Sequence, residues 1–188
     1  HRRKPGAGSR HRHGGRARHA DAYWRARWKE GSPVAGRIVN TSSGAGLMGS
    51  VAQAAYSAAK GAIASLTLVQ AAELGRIGVT ANAIAPAART RMTEAAFADM
   101  MAEVDEGAFD AMDPANVSPL VVWLGSDESV DVTGRVFEVE GGIIGVAEGW
   151  RHGPRFDKGA RWDPAEVGPV VADLLREGED PTPVYGVG

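Results

Sequence analysis

Two short apolar runs separated by one long helical stretch constrain the fold of this 188-residue chain most strongly. The runs are GRIVNTSS (36–43) and VTANAIAPA (79–87), and the stretch between them predicts a helix over about 52–74 that glycines end. TGRVFEVEGG (133–142) predicts a third strand. Strands that alternate with helices indicate βαβ units, whose strands are parallel and buried. We therefore expect an α/β fold with about three parallel strands and flanking helices, part of a doubly wound sheet.

Capping residues predict the remaining helices. An amphipathic helix is expected to end at residue 30, before Gly31. Asp113 is an N-cap and Pro114 occupies the first helical position, which predicts a helix to about residue 124. Pro119 is expected to kink this helix or restart its first turn. Residues 162–177 begin with an Asp–Glu capping box and predict the last helix. The methionine-rich residues 90–112 indicate an irregular helical segment.

Charge is divided unevenly along the chain. The first 30 residues hold ten Lys or Arg and two acidic residues. The remaining residues hold 11 Lys or Arg and 21 Asp or Glu, so the net charge of −2 combines a basic first segment with an acidic remainder. Residues 1–18 contain no side chain that anchors a core, and we expect this segment to be disordered or non-native. Three interpretations of this segment remain open: a functional basic tail, an expression scar or a mistranslated stretch. The fold is expected to occupy residues 19–188, of which 146–188 form a C-terminal extension.

Composition excludes several classes of function. The chain has no cysteine, which excludes disulfides and thiolate metal sites. No apolar run approaches the ~20 residues that span a bilayer, so we expect a cytoplasmic protein without membrane contact. His11 and His13 lie in a Gly/Arg tract without a nearby carboxylate, and we predict no metal site. The basic segment alone does not predict a specific nucleic-acid partner.

Three residues carry the predicted chemistry. Tyr56 and Lys60 lie four positions apart, and therefore on one face of the long helix. An ammonium near a phenol favours its ionised form, which allows the tyrosine to exchange a proton with an alcohol or a carbonyl. Ser43, at the end of the preceding strand, would donate a hydrogen bond to the same substrate oxygen. A Tyr-x-x-x-Lys pair alone is more often a solvated or packed helix face, and the order of strand, serine, tyrosine, lysine and second strand decides against that interpretation.

Residues 36–87 resemble the active-site half of the short-chain dehydrogenase/reductase family. The resemblance implies a Rossmann-type fold, with Tyr56 as acid/base and Ser43 holding the substrate oxygen. It gives Lys60 contact with the nicotinamide ribose, together with a charge that favours the phenolate. Gln53 resembles a position that faces the substrate, although a surface amide is an equal alternative. Pro86 and Thr90 match cofactor-binding positions, and Thr90 lies one residue closer to its proline than the family pattern has it.

Three segments, 84–94, 119–128 and 136–145, resemble the (R)-3-hydroxyacyl-CoA dehydrogenase unit of peroxisomal multifunctional enzyme type 2 and its bacterial relatives. This resemblance implies NAD or NADP as cofactor, with NAD favoured. It also implies nicotinamide-dependent interconversion of a 3-hydroxyacyl thioester and its ketone. Reduction of 3-oxoacyl carrier protein and oxidation of hydroxysteroids use the same catalytic residues and remain alternatives.

The family's glycine-rich pyrophosphate loop is not recognised in the sequence. Gly6-Ala-Gly8 has no strand before it and no apolar helix after it. The family's catalytic asparagine, which would fall within residues 10–18, is also missing there. We therefore expect a truncated, inactive form, or a non-catalytic fragment that acts only by association. Family members form dimers and tetramers, and we expect a homo-oligomer.

Overall fold

The computed structural model describes residues 13–89 and 107–186, with side chains from residue 21 onward. In chain order its helices and strands are α1 (His13–Lys29), β1 (Gly36–Thr41), α2 (Gly44–Met48), α3 (Ala54–Leu74), β2 (Val79–Ala87), α4 (Ser118–Leu124), β3 (Val136–Glu140), β4 (Ile143–Ala147) and α5 (Pro164–Glu177). Among the described residues, no helix is both long enough and apolar enough to cross a membrane.

The strands form one sheet in the order β1-β2-β3-β4. The first three are parallel, which confirms the predicted α/β sheet, whereas β4 pairs antiparallel with β3. The sequence interpretation did not include β4. Glu140 pairs with Ile143, so that Gly141-Gly142 forms a two-residue hairpin loop, and the Gly-Gly pair is a typical hairpin signal. That pair was read instead as the end of the strand 133–142.

Helices cover both faces of β2, whose first seven residues are buried. On one face, Ile84 and Phe137 pack against Leu120 and Leu124 of α4. On the other, Ala83 and Ala85 contact side chains that include Leu47 of α2 and Ala64 of α3. Alanine leaves room for a helix to approach the sheet closely, and this explains why so short an apolar run forms the centre of the fold.

Asn82 is a polar residue in the centre of β2, where it is 1% exposed. Its amide nitrogen donates to the Val132 carbonyl at 2.8 Å, and its side-chain oxygen accepts from the backbone N–H of Arg135 at 3.1 Å. A buried amide is tolerated only when its donors and acceptors are satisfied. Asn82 therefore fixes the loop that leads into β3.

The predicted helix boundaries agree closely with the structure, with one difference at the amino end. The backbone is helical from His13, inside the segment expected to lie outside the fold. Arg16, Ala17 and Arg18 favour helix and extend the hydrogen-bonded ladder beyond the apolar residues that anchor it, whereas nothing in the sequence explains its continuation through Gly14 and Gly15. Pro119 lies in the first turn of α4, after a 3-10 turn over Pro114–Val117, and the capping box of α5 is present. Most of the segment predicted over 90–112 lies outside the described residues.

Candidate active site

Two adjacent serines at the carboxyl end of β1 have different surroundings. Ser42 is 2% exposed, and its hydroxyl donates to the main-chain carbonyl of Lys60 at 2.8 Å. Ser43 is partly exposed and is the N-cap of α2, where its hydroxyl accepts from the Ala45 N–H at 3.3 Å. In this bond the Ser43 hydroxyl is the acceptor, so its proton remains available for donation. Ser43 is therefore the serine whose position allows contact with a substrate.

Tyr56 and Lys60 lie in the first two turns of α3, on the same face. The Lys60 ammonium lies 5.7 Å from the centre of the Tyr56 ring, and it also donates to the Thr41 carbonyl at 3.0 Å. Tyr56 is 38% exposed. The structure thus brings the predicted pair together beside the carboxyl end of β1, with the phenol accessible and one ammonium hydrogen bonded to the strand.

A close contact between α2 and α3 fixes where Ser43 lies relative to Lys60. A β-carbon on Gly46 would lie 2.5 Å from the carbonyl carbon of Lys60 and 2.6 Å from the Gly61 nitrogen. Only glycine permits this approach of two backbones. The contact joins the helix capped by Ser43 to the helix turn that follows Tyr56.

Gly44, Gly46 and Gly49 follow β1 with the spacing G-x-G-x-x-G, which is also the spacing of dinucleotide-binding loops. The structure gives each glycine a different role. Gly46 contacts α3, while Gly44 and Gly49 contact the C-terminal residues Tyr185 and Val184. The helix that follows has five residues. These glycines therefore serve packing around Ser43 and the Lys60 turn.

Gln53 occupies the N-cap position of α3, and its side chain makes no capping hydrogen bond. The residue is partly exposed, and its backbone carbonyl accepts from the Ser57 N–H at 2.8 Å. The preceding Ala52 has φ +61°, a left-handed conformation that costs a non-glycine residue about 1–2 kcal/mol. The turn that presents Gln53 between Ser43 and Tyr56 is thus held in a strained shape by its surroundings.

Pro86 lies near the carboxyl end of β2, opposite Val139 of β3, and is partly buried. It is therefore at the same edge of the sheet as Ser43. Thr90 lies outside the described residues. Next to it, Arg89 forms a two-pronged ion pair with Asp110, with nitrogen–oxygen distances of 2.6 and 3.0 Å. This hydrogen-bonded guanidinium lowers the pKa of Asp110 below its ordinary 3.8.

Tyr185, which sequence reasoning missed, lies against the turn after Ser43. A β-carbon on Gly44 would lie 2.9 Å from its hydroxyl oxygen. Burial raises the pKa of Tyr185 above its ordinary 10.0, and the carboxylates of Glu138 and Glu140 raise it further. The phenol is therefore neutral at physiological pH. The signal available in the sequence was the concentration of glycines over 44–49, which indicates close approach of another segment.

The arrangement suits proton exchange with an alcohol or carbonyl, and it fits one end of a nicotinamide cofactor. Lys60 and Pro86 lie at the sheet edge where the nicotinamide and its ribose would bind in this type of fold. Within the described ranges, no group of three His, Asp or Glu side chains could hold a metal ion.

Comparison with known proteins identifies the family to which the chain belongs. The family model described as enoyl-(acyl carrier protein) reductase matches residues 16–144. Hydroxyacyl-CoA dehydrogenase ChsB1 of Mycobacterium tuberculosis is 44% identical over 167 residues, which are 87% of this chain and 52% of that protein. Peroxisomal multifunctional enzyme type 2 of Mus musculus is 42% identical over 110 residues, covering 58% of this chain and 14% of that protein.

A solved structure is also similar. The crystal structure of a short chain dehydrogenase from Mycobacterium avium has 67% sequence identity and a TM-score of 0.78, covering 91% of this chain and 56% of that one. Together with the family model, these similarities show that the chain belongs to the short-chain dehydrogenase/reductase family of nicotinamide-dependent oxidoreductases. The chain spans about half the length of ChsB1 and of the Mycobacterium avium protein.

Proposed function

We propose that this chain supplies the catalytic residues for nicotinamide-dependent interconversion of a 3-hydroxyacyl thioester and its ketone. The observation that carries the proposal is the Tyr56–Lys60 pair on α3, beside Ser43 at the end of β1. The substrate class is supported by similarity to hydroxyacyl-CoA dehydrogenase ChsB1 and to the peroxisomal hydratase-dehydrogenase-epimerase of Saccharomyces cerevisiae, whose names state hydroxyacyl-CoA dehydrogenase and hydratase-dehydrogenase activity. The proposed cofactor is NAD or NADP, and the resemblance to the (R)-3-hydroxyacyl-CoA dehydrogenase unit favours NAD.

Ser43, Tyr56 and Lys60 have different tasks in the oxidation. Ser43 donates a hydrogen bond to the substrate oxygen and holds the carbinol carbon in place. Tyr56, as the phenolate, accepts the hydroxyl proton while the carbon–oxygen bond becomes a double bond. Lys60 contacts the nicotinamide ribose and places positive charge beside the phenol. When bound, the dinucleotide supplies the acceptor for the hydrogen and electron pair that leave the carbon. Pro86, Thr90 and Gln53 complete the proposed contacts, with Gln53 facing the substrate.

Replacing Tyr56 by phenylalanine tests the proposal, because the ring remains while the exchangeable proton is lost. In a protein that carries this chain together with a cofactor-binding half, reduction of a 3-oxoacyl thioester should fall by at least about 100-fold, the contribution typical of a general acid. Reduction is followed by loss of the dinucleotide's absorbance. Tyr23→Phe on α1 is the matched control and should leave the rate unchanged. A tenfold loss of rate corresponds to a rise of about 1.4 kcal/mol in the activation barrier. A Tyr56→Phe protein that keeps more than about a tenth of the parent rate would contradict the role of Tyr56 as acid/base.

A further inference from the structure

The segment before the carboxyl end of the chain lies along the turn that joins Ser43 to Tyr56. Val51 donates its N–H to the Tyr185 carbonyl at 2.9 Å, and Tyr185 donates its own to the Gly49 carbonyl at 3.2 Å. These two bonds form a parallel bridge between Ser50 and Tyr185. The last residues therefore add one strand-like contact to the turn that carries Gln53.

Side-chain contacts accompany the bridge. Val184 lies 3.0 Å from where a β-carbon on Gly49 would be, and Val51 lies 3.4 Å from the corresponding point on Gly186. The Tyr185 ring covers Gly44, with three of its atoms within 2.9–3.2 Å of the β-carbon position there. The absence of side chains at residues 44 and 49 is what allows this segment to approach the residue directly after Ser43.

The ring is half buried against the turn, and its other side is open, since Tyr185 is 50% exposed. Glu138 and Glu140 of β3 are near enough for their charges to act on the phenol. Because the ring lies against Gly44, the residue directly after Ser43, its open side offers an aromatic surface and a hydroxyl close to Ser43.

We propose that Tyr185 is a specificity-determining residue, whose ring forms a wall of the substrate site and limits the length of the acyl chain beyond the reacting carbon. This inference rests on the proposed function, because it requires a substrate oxygen held by Ser43. The residue acts through contact with the substrate, and it takes no part in proton exchange. Its ligand class is the carbon chain of a 3-oxoacyl thioester.

The test uses the 188-residue chain and two uncharged probes, the N-acetylcysteamine thioesters of 3-oxobutanoate and 3-oxooctanoate. Dissociation constants are obtained by NMR titration, from shifts of the Ser43 and Tyr56 amides. Tyr185→Ala removes the ring and enlarges the site. The affinity for the 3-oxooctanoate probe relative to the 3-oxobutanoate probe should therefore rise at least about fivefold, because a pocket discriminates chain length through contacts with its walls. Tyr185→Trp should move the ratio in the opposite direction. Tyr23→Ala, which removes a similarly exposed tyrosine from α1, is the control and should leave the ratio unchanged.

The outcomes separate this inference from the function on which it rests. If both probes bind and the ratio stays within about twofold in both Tyr185 variants, the ring is not a wall of the site and the proposed function stands. If neither probe shifts the Ser43 and Tyr56 amides of the unaltered chain, no substrate oxygen is held at Ser43 in this chain and this inference fails, whereas the proposed function is decided separately by the Tyr56→Phe rate in the protein with a cofactor-binding half. Hydrogen exchange at Val51 shows whether the bridge survives each substitution. A purely structural role would change both affinities alike and would not produce opposite shifts.

Discussion

Single residues at this site each serve more than one purpose, and Lys60 is the clearest example. Its ammonium bonds to the Thr41 carbonyl and lies near the Tyr56 ring, while its own carbonyl accepts the Ser42 hydroxyl. The chain therefore uses one residue both to tie α3 to β1 and to place a charge beside the phenol. A substitution at Lys60 would disturb position as well as charge.

The Arg89–Asp110 pair allows a prediction about pH. Both side chains are largely buried, 16% and 24% exposed, and the folded-state pKa of Asp110 lies below 3.8. Ionised Asp110 thus favours folding above pH 3.8, and this contribution is lost as the pH falls through the lower, folded-state value. Asp110→Asn should lower the urea midpoint of unfolding at pH 7, and the difference from the unaltered chain should close below pH 3.8.

Circular dichroism at pH 7 and pH 3 measures both midpoints. The matched control is Asp127→Asn, because Asp127 pairs with Arg37 at 3.5 Å but is fully exposed. Exposed pairs contribute between zero and about 1 kcal/mol, so this variant should differ little from the unaltered chain at either pH. An Asp110→Asn midpoint equal to that of the unaltered chain at pH 7 would show that the ion pair is not formed in solution.

At the scale of elements, the relation between α2 and α3 depends on one residue without a side chain. The 2.5 Å separation at Gly46 means that any β-carbon there forces the two helices apart. Since α2 begins at Ser43 and the Lys60 turn is the surface it contacts, such a change would also move the serine relative to the tyrosine. Stability and site geometry are therefore linked at this contact.

Gly46→Ala is expected to destabilise the fold by about 1–3 kcal/mol, the range for overpacking. Urea unfolding gives the value. Gly75→Ala, directly after α3, is the control, because a β-carbon there meets nothing within 4 Å and the backbone is already helical. It should stabilise by about 0.5–1 kcal/mol through helix propensity. Equal stability of the Gly46→Ala chain and the unaltered chain would refute the close contact.

Elements with a strong local pattern could be predicted, and contacts between distant segments could not. The bounds of β2 agree because Gly78 precedes a mainly apolar run that continues to Ala87, and the shared helix face of Tyr56 and Lys60 follows from helix periodicity. Strand β4 was missed because the glycines of its hairpin also suit a strand end. Tyr185 was missed because nothing near it in the sequence marks a partner at Gly44; that contact exists only after the chain has folded.

An exposed apolar stripe on α3 supports the expectation of self-association. Leu68 and Val69 are 53% and 49% exposed, on the side of the helix away from buried Thr67 and Leu74. Leu68→Glu should shift the molar mass measured by light scattering toward the monomer, because a charge at an apolar interface is costly. Val130→Glu, at an equally exposed position outside the helices, should leave the mass unchanged. Monomeric unaltered chain at high concentration would contradict the expectation.

For the molecule as a whole, the described residues can contact one end of a dinucleotide. Lys60, Tyr56 and Pro86 lie where the nicotinamide end would bind, and the glycines after β1 are occupied by packing. A few hydrogen bonds of about 1 kcal/mol each fall short of the ~8 kcal/mol that micromolar binding represents. We therefore predict no saturable binding of NAD or NADP tighter than about 10 micromolar.

Calorimetric titration of either dinucleotide into the 188-residue chain at physiological salt checks this prediction. The Tyr56→Phe chain is a useful comparison. The substitution should alter weak binding of the dinucleotide through its nicotinamide end, whereas it should not alter the attraction of the dinucleotide's phosphates to the basic first residues. Such attraction should also disappear in high salt. Saturable micromolar binding together with turnover of a 3-hydroxyacyl thioester would show that this chain holds a complete cofactor site.

The buried amide of Asn82 has a consequence for how fast the chain reaches its native state. Its bond to the Arg135 N–H joins residues 53 positions apart, and each parallel strand pair likewise waits for a distant segment. Closing such loops costs entropy before any contact compensates it, so chains rich in distant pairings cross their barrier slowly. Helix α3 can form in microseconds, whereas we expect the later encounter of β2 with β3, in which Asn82 meets both of its partners, to set the rate of refolding.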